Sequence, residues 1–210
     1  MDEDRLRWIY SATNDVELRE RYREWATDYD DDMAGMGWQA PWACAERVVH
    51  HAGADARVLD AGCGTGLVGL ALHELGVRQL VGFDMSKEML DLARGRGVYA
   101  TVVEGSLLEP LPFERDAFDA VASVGVFTHG HVGPAGLAGL PKVIRPGGFL
   151  TLTFRDDTID ALGHGPELRR LEAEGILTLV ERTAAEPLIL EGGVGADMRV
   201  WTWVAEGNGG

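Results

Sequence analysis

The sequence predicts an α/β fold: a doubly wound, mostly parallel sheet covered by helices and closed by an antiparallel strand pair. Five short β-rich apolar runs, "RVLDAG", "QLVGFD", "YATVVEG", "FDAVASVGV" and "GGFLTLTF", follow one another with helical segments between several of them. Such alternation builds a parallel sheet with helices on its faces. The C-terminal part ends instead in two strand-like runs, "ILTLVER" and "MRVWTWVAE", joined by a loop with no helix, which predicts antiparallel pairing. With 210 residues, 46% of them hydrophobic, the chain encloses one sizeable core but hardly two. It is expected to be a single domain over residues 1–210, with residues 1–40 a helical prelude.

In that prelude Tyr22, Trp25 and Tyr29 stand at i, i+3 and i+7, with Met33 one turn further, which predicts one helix bearing an aromatic stripe. A stripe of this kind serves as core or as a cover over a neighbouring site. Trp38 and Trp42, flanking Pro41, continue the same wall. The first strand runs straight into "DAGCGTG" and is followed by "GLVGLALHELG", whose Leu67, Leu70, Ala71 and Leu75 lie at helical spacing before Gly76 caps the end. After the second strand Ser86 is placed to cap "SKEMLDLARGRG", with Met89, Leu90 and Ala93 toward the sheet and Gly95 as the breaker. A helix "GPELRRLEAEG" precedes the final strand pair, and "GNGG" is expected to fray.

The formal net charge is −15, with a local run in "DYDDDM" around Asp30 to Asp32. Phosphate backbones and anionic membranes are repelled at long range by such a surface, so no nucleic acid or membrane partner is expected, and solubility accounts for the acids. No run approaches the roughly 20 apolar residues of a membrane span, and "MDEDRLRWIY" lacks the features of an export signal. Cys44 and Cys63 alone make neither a disulfide framework nor a zinc site, which fits a reducing, cytoplasmic setting.

A glycine-rich turn between strand and helix in a β-α-β unit is where nucleotide-like ligands meet a doubly wound sheet. Asp84 ends the second strand about 20 residues beyond that turn, where a carboxylate accepts from ribose hydroxyls. This points to an adenosine-containing ligand. A dinucleotide fingerprint, G-x-G-x-x-G, needs its third glycine at position 67, where Leu67 stands, and this chain has Gly66 instead. An NAD-dependent oxidoreductase is therefore a distant alternative.

These residues resemble the class I S-adenosylmethionine-dependent methyltransferases: "VLDAGCGTG" is similar to their first motif and "GFDMSKEMLDLAR" to their acidic second one. "FDAVASVGVF" resembles the fourth-strand motif and "RPGGFLTLTF" the fifth strand with its turn, in the family's order and over about three quarters of the chain. "YREWATDYDDDMAGMGWQAP" and "FTHGHVGP" most resemble the methyltransferase-like group named after the Williams-Beuren chromosomal region, with its bacterial relatives. The resemblance implies a Rossmann-like, seven-stranded sheet whose last strand pair is antiparallel, with S-adenosyl-L-methionine as cofactor. It also implies that the N-terminal segment covers the cofactor, with Tyr29 facing it.

Carried over by residue, Asp60, Gly62, Gly64 and Gly66 shape the loop against the cofactor's methionine part, with backbone amides open to its carboxylate. Cys63 fills a small place beside them. Asp84 takes the ribose, Met85 one adenine face, and Val124 sits at the end of the fourth strand. Where the family often has an aspartate after the third strand, this chain has Ser106, so adenine is left to the Ser106 hydroxyl or the Leu107 backbone. His129 and His131 follow the fourth strand and are candidate catalytic bases for a hydroxyl or amine acceptor. H-x-H alone is an incomplete metal shell, His50 and His51 are expected on the outer side of a helix, and no metal is implied. "SVGV" at Ser123 to Val126 replaces the Asn/Asp-Pro-Pro-aromatic motif of nucleobase methyltransferases and has no carboxylate for magnesium. A metal-independent enzyme acting on a small molecule is expected, the alternative being a non-catalytic cofactor-binding or scaffolding module.

Overall fold

A computed structural model describes residues 5, 8–9, 11–12, 14–128, 132–186 and 197–206. In chain order the elements are α1 (Asp15–Trp25), α2 (Tyr29–Gly35), α3 (Ala40–Ala52), β1 (Arg57–Ala61), α4 (Leu67–Glu74), β2 (Gln79–Asp84), α5 (Lys87–Gly95), β3 (Thr101–Glu104), β4 (Phe118–Ser123), β5 (Ile144–Arg155), α6 (His164–Ala173), β6 (Leu177–Arg182) and β7 (Met198–Ala205). The strands form one seven-stranded sheet in the order β3-β2-β1-β4-β5-β7-β6. Every pair from β3 to β5 is parallel, while β7 runs antiparallel to both β5 and β6. The predicted doubly wound sheet and its antiparallel closure are both present.

Side-chain alternation along β1 decides where the two helical layers sit. Val58 points into a core with Cys44, Ala45 and Val48 of α3 and Val68, Ala71 and Leu72 of α4. Leu59 and Ala61 point the other way, toward Phe83, Val121, Leu150 and Leu152 and the Leu168 and Leu171 face of α6. Since β1 pairs with β2 on one side and β4 on the other, the strand order reverses beside it. The crevice at the carboxyl ends of β1 and β4 is the position where such sheets hold ligands.

At the far side of the sheet Trp201 and Trp203 lie on the same face of β7 and stack at 5.7 Å with an interplanar angle of 7°. Trp203 is fully buried and its indole N–H donates to Glu172 Oε1 across 2.7 Å.

Local expectations fared unevenly. The Ser86 cap forms, its Oγ accepting from the Met89 amide at 3.3 Å, with Met89, Leu90 and Ala93 buried as predicted. On α4 the buried face is Val68, Ala71 and Leu72, whereas Leu75 is exposed. The predicted single aromatic helix is two helices, broken across residues 26–28. Seven residues of continuous helix would set Trp25 and Asp32 about 10.5 Å apart along the axis. The break instead lets the Trp25 indole donate to Asp32 Oδ2 at 2.7 Å. His51 is not on an outer side either: it meets Glu181 Oε2 at 2.7 Å and the Phe149 ring at 5.3 Å, while His50 is exposed.

Beneath the turn after β1, the Tyr99 hydroxyl donates to Asp60 Oδ2 at 2.6 Å and accepts from the Gly69 amide in the first turns of α4 at 3.1 Å. A Cβ on Gly69 would lie 2.2 Å from the Tyr99 oxygen. Alanine in a helix ordinarily gains about 1 kcal/mol over glycine, but overpacking of this kind costs about 1–3 kcal/mol. Gly69→Ala is therefore expected to lower the thermal midpoint. Gly95→Ala, where a Cβ would meet nothing within 4 Å, is expected to raise it. Calorimetric melting of the two variants beside the parent checks the opposite signs.

Candidate functional site

The turn after β1 is held in place by its own amides. Gly62 and Cys63 both donate to the Phe83 carbonyl, at 2.7 and 3.0 Å, Gly64 donates to Asp84 Oδ2 at 2.9 Å, and Gly66 donates to the Cys63 carbonyl at 2.8 Å. These four amides, left open for a ligand carboxylate in the sequence, are thus engaged within the protein. Asp84 binds two turns at once, because its Oδ1 accepts from the Ser86 amide at 2.9 Å. Burial raises the Asp84 carboxyl above its usual range, against the pull of the Ser86 and Gly64 amides.

A cavity open to solvent lies above this turn. Gly62 and Gly64 form its floor from the β1 turn, Asp84 and Met85 border it from the end of β2, and Leu107 from the segment after β3. Val124, Gly125 and Val126 contribute from the end of β4, and Tyr29 from α2. Gly64 has φ +53° with open space where a Cβ would stand, so the loop presents bare backbone there.

Seven of the residues predicted to bind cofactor are thus brought together: Tyr29, Gly62, Gly64, Asp84, Met85, Leu107 and Val124. Four are not. Asp60 is fully buried under the turn, and Cys63 packs against Leu90 and Ala93 with Tyr99 beside them. The Ser106 Oγ accepts from the Leu108 amide at 3.2 Å, shaping its own turn, which leaves Leu107 as the neighbour on the cavity. Gly66, with φ +95°, is bare for a different reason: a Cβ there would lie 3.0 Å from both Arg96 Cδ and the Tyr99 ring. His129 and His131 lie outside the described residues.

Sequence reasoning missed Leu18, Arg19 and Tyr22 of α1, which also line the cavity, and Ser86 and Met89 of α5, assigned only to helix capping and core. The stripe spacing marked Tyr22 but not which of its members would face a cavity. Trp25 and Met33 turn inward with Leu18 and Met36 to form a small core of the N-terminal segment itself. Tyr22 and Tyr29 face the cavity, their rings 6.3 Å apart, and Tyr29 meets Trp38 edge-on at 6.3 Å. Val132 resumes the described chain after β4, its amide donating to the Val126 carbonyl at 3.3 Å while its carbonyl meets His164 Nε2 at 3.0 Å. His164 is buried, and desolvation lowers its pKa, so it remains neutral near pH 7.

A family model described as a methyltransferase domain matches residues 58–148. The chain is 38% identical over 141 residues to methyltransferase-like protein 27 of Homo sapiens, covering 65% of this chain and 57% of that protein. Demethylmenaquinone methyltransferase of Deinococcus radiodurans is 36% identical over 145 residues, 64% of this chain and 58% of that one. The 18S rRNA (guanine-N(7))-methyltransferase of Bos taurus matches over 67 residues at 43% identity, 32% of this chain and 24% of that one. The chain thus spans at most somewhat over half the length of these curated relatives. In fold it is similar to a chain from the Haloferax volcanii complex of the Trm112 methyltransferase activator with a methyltransferase. The TM-score is 0.65 at 20% identity, over 88% of this chain and 97% of the other.

Asp60 supplies a pH test of the buried cluster under the turn. Its Oδ1 has no hydrogen-bond partner among the described residues, and its carboxyl is pushed up to about 7 by burial, with the Tyr99 hydrogen bond opposing the rise and the Asp84 charge adding to it. A carboxyl raised in the folded state contributes stability that is present below its unfolded value, near 4, and is lost as pH rises through the folded one. Asp60→Asn does not titrate. The urea midpoint of wild type is therefore expected to fall relative to Asp60→Asn between pH 4 and pH 8, and a constant difference across that window would contradict the assignment.

Proposed function

Because the chain carries a class I S-adenosylmethionine-dependent methyltransferase domain, we propose that it transfers the methyl group to a small-molecule acceptor without a metal ion. The observation that carries this reading is the cavity at the carboxyl ends of β1 and β4, roofed by Tyr22 and Tyr29 of the N-terminal segment. A roof over the reacting centre favours an acceptor that can be enclosed, and a net charge of −15 opposes a polyanion. Because rRNA and tRNA modification enzymes are among the relatives, an RNA acceptor is the second reading and is separated by the experiment below.

The residues present fit S-adenosylmethionine. Gly62 and Gly64 leave a floor without side chains, and a Cβ on Gly62 would close to 2.3 Å of Val126 Cγ2. Each Asp84 oxygen accepts one amide and keeps a lone pair for ribose hydroxyls. Met85, Leu107 and Val124 supply apolar surface for adenine, and residues 1–40 serve as a lid. When bound, the cofactor supplies a methyl group activated on a sulfonium sulfur. The chain's own part is to hold donor and acceptor in line and to shield the transfer from water, a role for which the tyrosine roof and apolar walls are placed. His129 is the proposed base for an acceptor that must lose a proton, with His131 as second choice.

Three measurements bear on this. Calorimetry is expected to find binding of S-adenosylmethionine and S-adenosylhomocysteine but not NAD, with Asp84→Ala weakening binding by about 1.5–3 kcal/mol, the range for hydrogen bonds to a charged group. In a cell extract supplied with methyl-labelled cofactor, label is expected in the small-molecule fraction. Label in RNA would replace the acceptor class, and binding without transfer to any fraction would leave a non-catalytic module. Once an acceptor is in hand, His129→Ala is expected to lower turnover about 100-fold with cofactor affinity unchanged, and to remove the loss of rate on acidification that a base produces. Full activity in both His129→Ala and His131→Ala would leave alignment and desolvation as the whole mechanism.

A further inference from the structure

Three elements meet at one carboxylate, that of Asp30. Thr65, between the second and third glycines of the turn and 1% exposed, donates from Oγ1 to Asp30 Oδ1 of α2 at 2.6 Å. Arg96, at the C-terminal end of α5, donates from Nη2 to Asp30 Oδ2 and from Nε to the Thr65 carbonyl at 2.5 Å. The stem of Arg96 crosses the place where Gly66 would carry a Cβ. The third glycine of the motif thus accommodates an arginine that reaches the N-terminal segment.

We propose that Asp30, Thr65 and Arg96 are positioning residues that fasten the N-terminal segment onto the glycine turn, so that breaking this contact sets how fast the cofactor and its product leave. The inference rests on the cavity being the cofactor site. Asp30 directly follows Tyr29, which lines the cavity, and Thr65 directly follows Gly64, which floors it. One carboxylate therefore fixes a roof residue and a floor residue against each other. The contact suits reversible opening. The Asp30 side chain is 43% exposed and that of Arg96 19%, so water and salt reach an ion pair whose third member, Thr65, is buried. A second fastening lies further from the cavity, where Arg5 and the Trp25 indole both donate to Asp32 Oδ2, at 2.9 and 2.7 Å. That second contact holds α1 and α2 together, while Asp30 ties α2 to the turn by hydrogen bonds.

The test is stopped-flow release of S-adenosylhomocysteine, followed by tryptophan fluorescence, from the full chain and its Asp30→Asn, Thr65→Val, Thr65→Ser and Arg96→Met variants. Asp30→Asn, Thr65→Val and Arg96→Met are each expected to speed release about tenfold, a change of about 1.4 kcal/mol. The Asp30→Asn/Arg96→Met double variant should be no faster than either single one, because the three groups act as a unit. Thr65→Ser keeps the hydroxyl and should release as wild type does. Added salt should accelerate wild type more than Asp30→Asn. Asp119→Asn is the control: Asp119 accepts from the Arg57 amide and Arg145 at the opposite end of the sheet, so it tests stability apart from the cavity. Wild-type release rates in Asp30→Asn and Thr65→Val overturn the proposal. So do rates that follow thermal midpoints across all variants, Asp119→Asn included, since the contacts would then support only the fold. A wild-type chain that bound no S-adenosylhomocysteine would instead remove the cofactor reading beneath it.

Discussion

The Tyr99 hydroxyl donates to Asp60 across 2.6 Å beneath the glycine turn, and several features that look independent in the sequence follow from it. Asp60 is fully buried, so its carboxylate needs a donor from inside the protein. Tyr99 supplies one from the segment before β3, and the ring that carries the hydroxyl must pass close to Gly66, Gly69 and Gly82. A side chain at any of the three would collide with the ring or force it aside. The end of β1, the first turns of α4 and the middle of β2 are thereby set against a single phenol. The cavity floor rests on this arrangement, because the turn it supports holds Gly62 and Gly64 at the cavity.

The acidic character of the chain has two components. Most of the 34 carboxylates keep the surface negative. In the run around Asp30, however, three of the acids have partners: Asp28 and Asp32 share Arg5, Asp32 also takes the Trp25 indole, and Asp30 takes Thr65 and Arg96. Net charge averages over these differences. Composition counts them as solubility, while the geometry makes them the polar seam between the N-terminal helices and the body of the protein.

The strands, the crossovers and the antiparallel closure were legible because each rests on local pattern: apolar runs of strand length, a glycine-rich turn, a Ser86 cap and helical spacing on α5. Less legible was whatever depended on a distant partner. Helical periodicity on α4 admits more than one apolar face, and only packing against α3 selects Val68, Ala71 and Leu72 over Leu75. The aromatic stripe fits one helix until Trp25 finds Asp32. His51 reads as a helix surface residue until Glu181, 130 positions away, pairs with it. At the site, residues chosen for backbone shape or charge, Gly62, Gly64 and Asp84, line the cavity. Ser106, Asp60 and Cys63 do not, since type alone does not say on which side of a turn a small or acidic side chain lies.

The stacked pair on β7 gives the molecule an optical signature. Trp201 and Trp203 are held 5.7 Å apart and almost parallel by the pleat of one strand. Two strong transition dipoles at that distance couple and split, giving circular dichroism that neither indole has alone. Trp25 lies in α1 and Trp38 in the turn after α2, both packed in the core of the N-terminal segment. Of the six tryptophans, the Trp201–Trp203 pair carries an ellipticity that follows the sheet, while Trp25 and Trp38 report by emission on the N-terminal segment. Movement of that segment and melting of the sheet are distinguishable in the same cuvette, without a label.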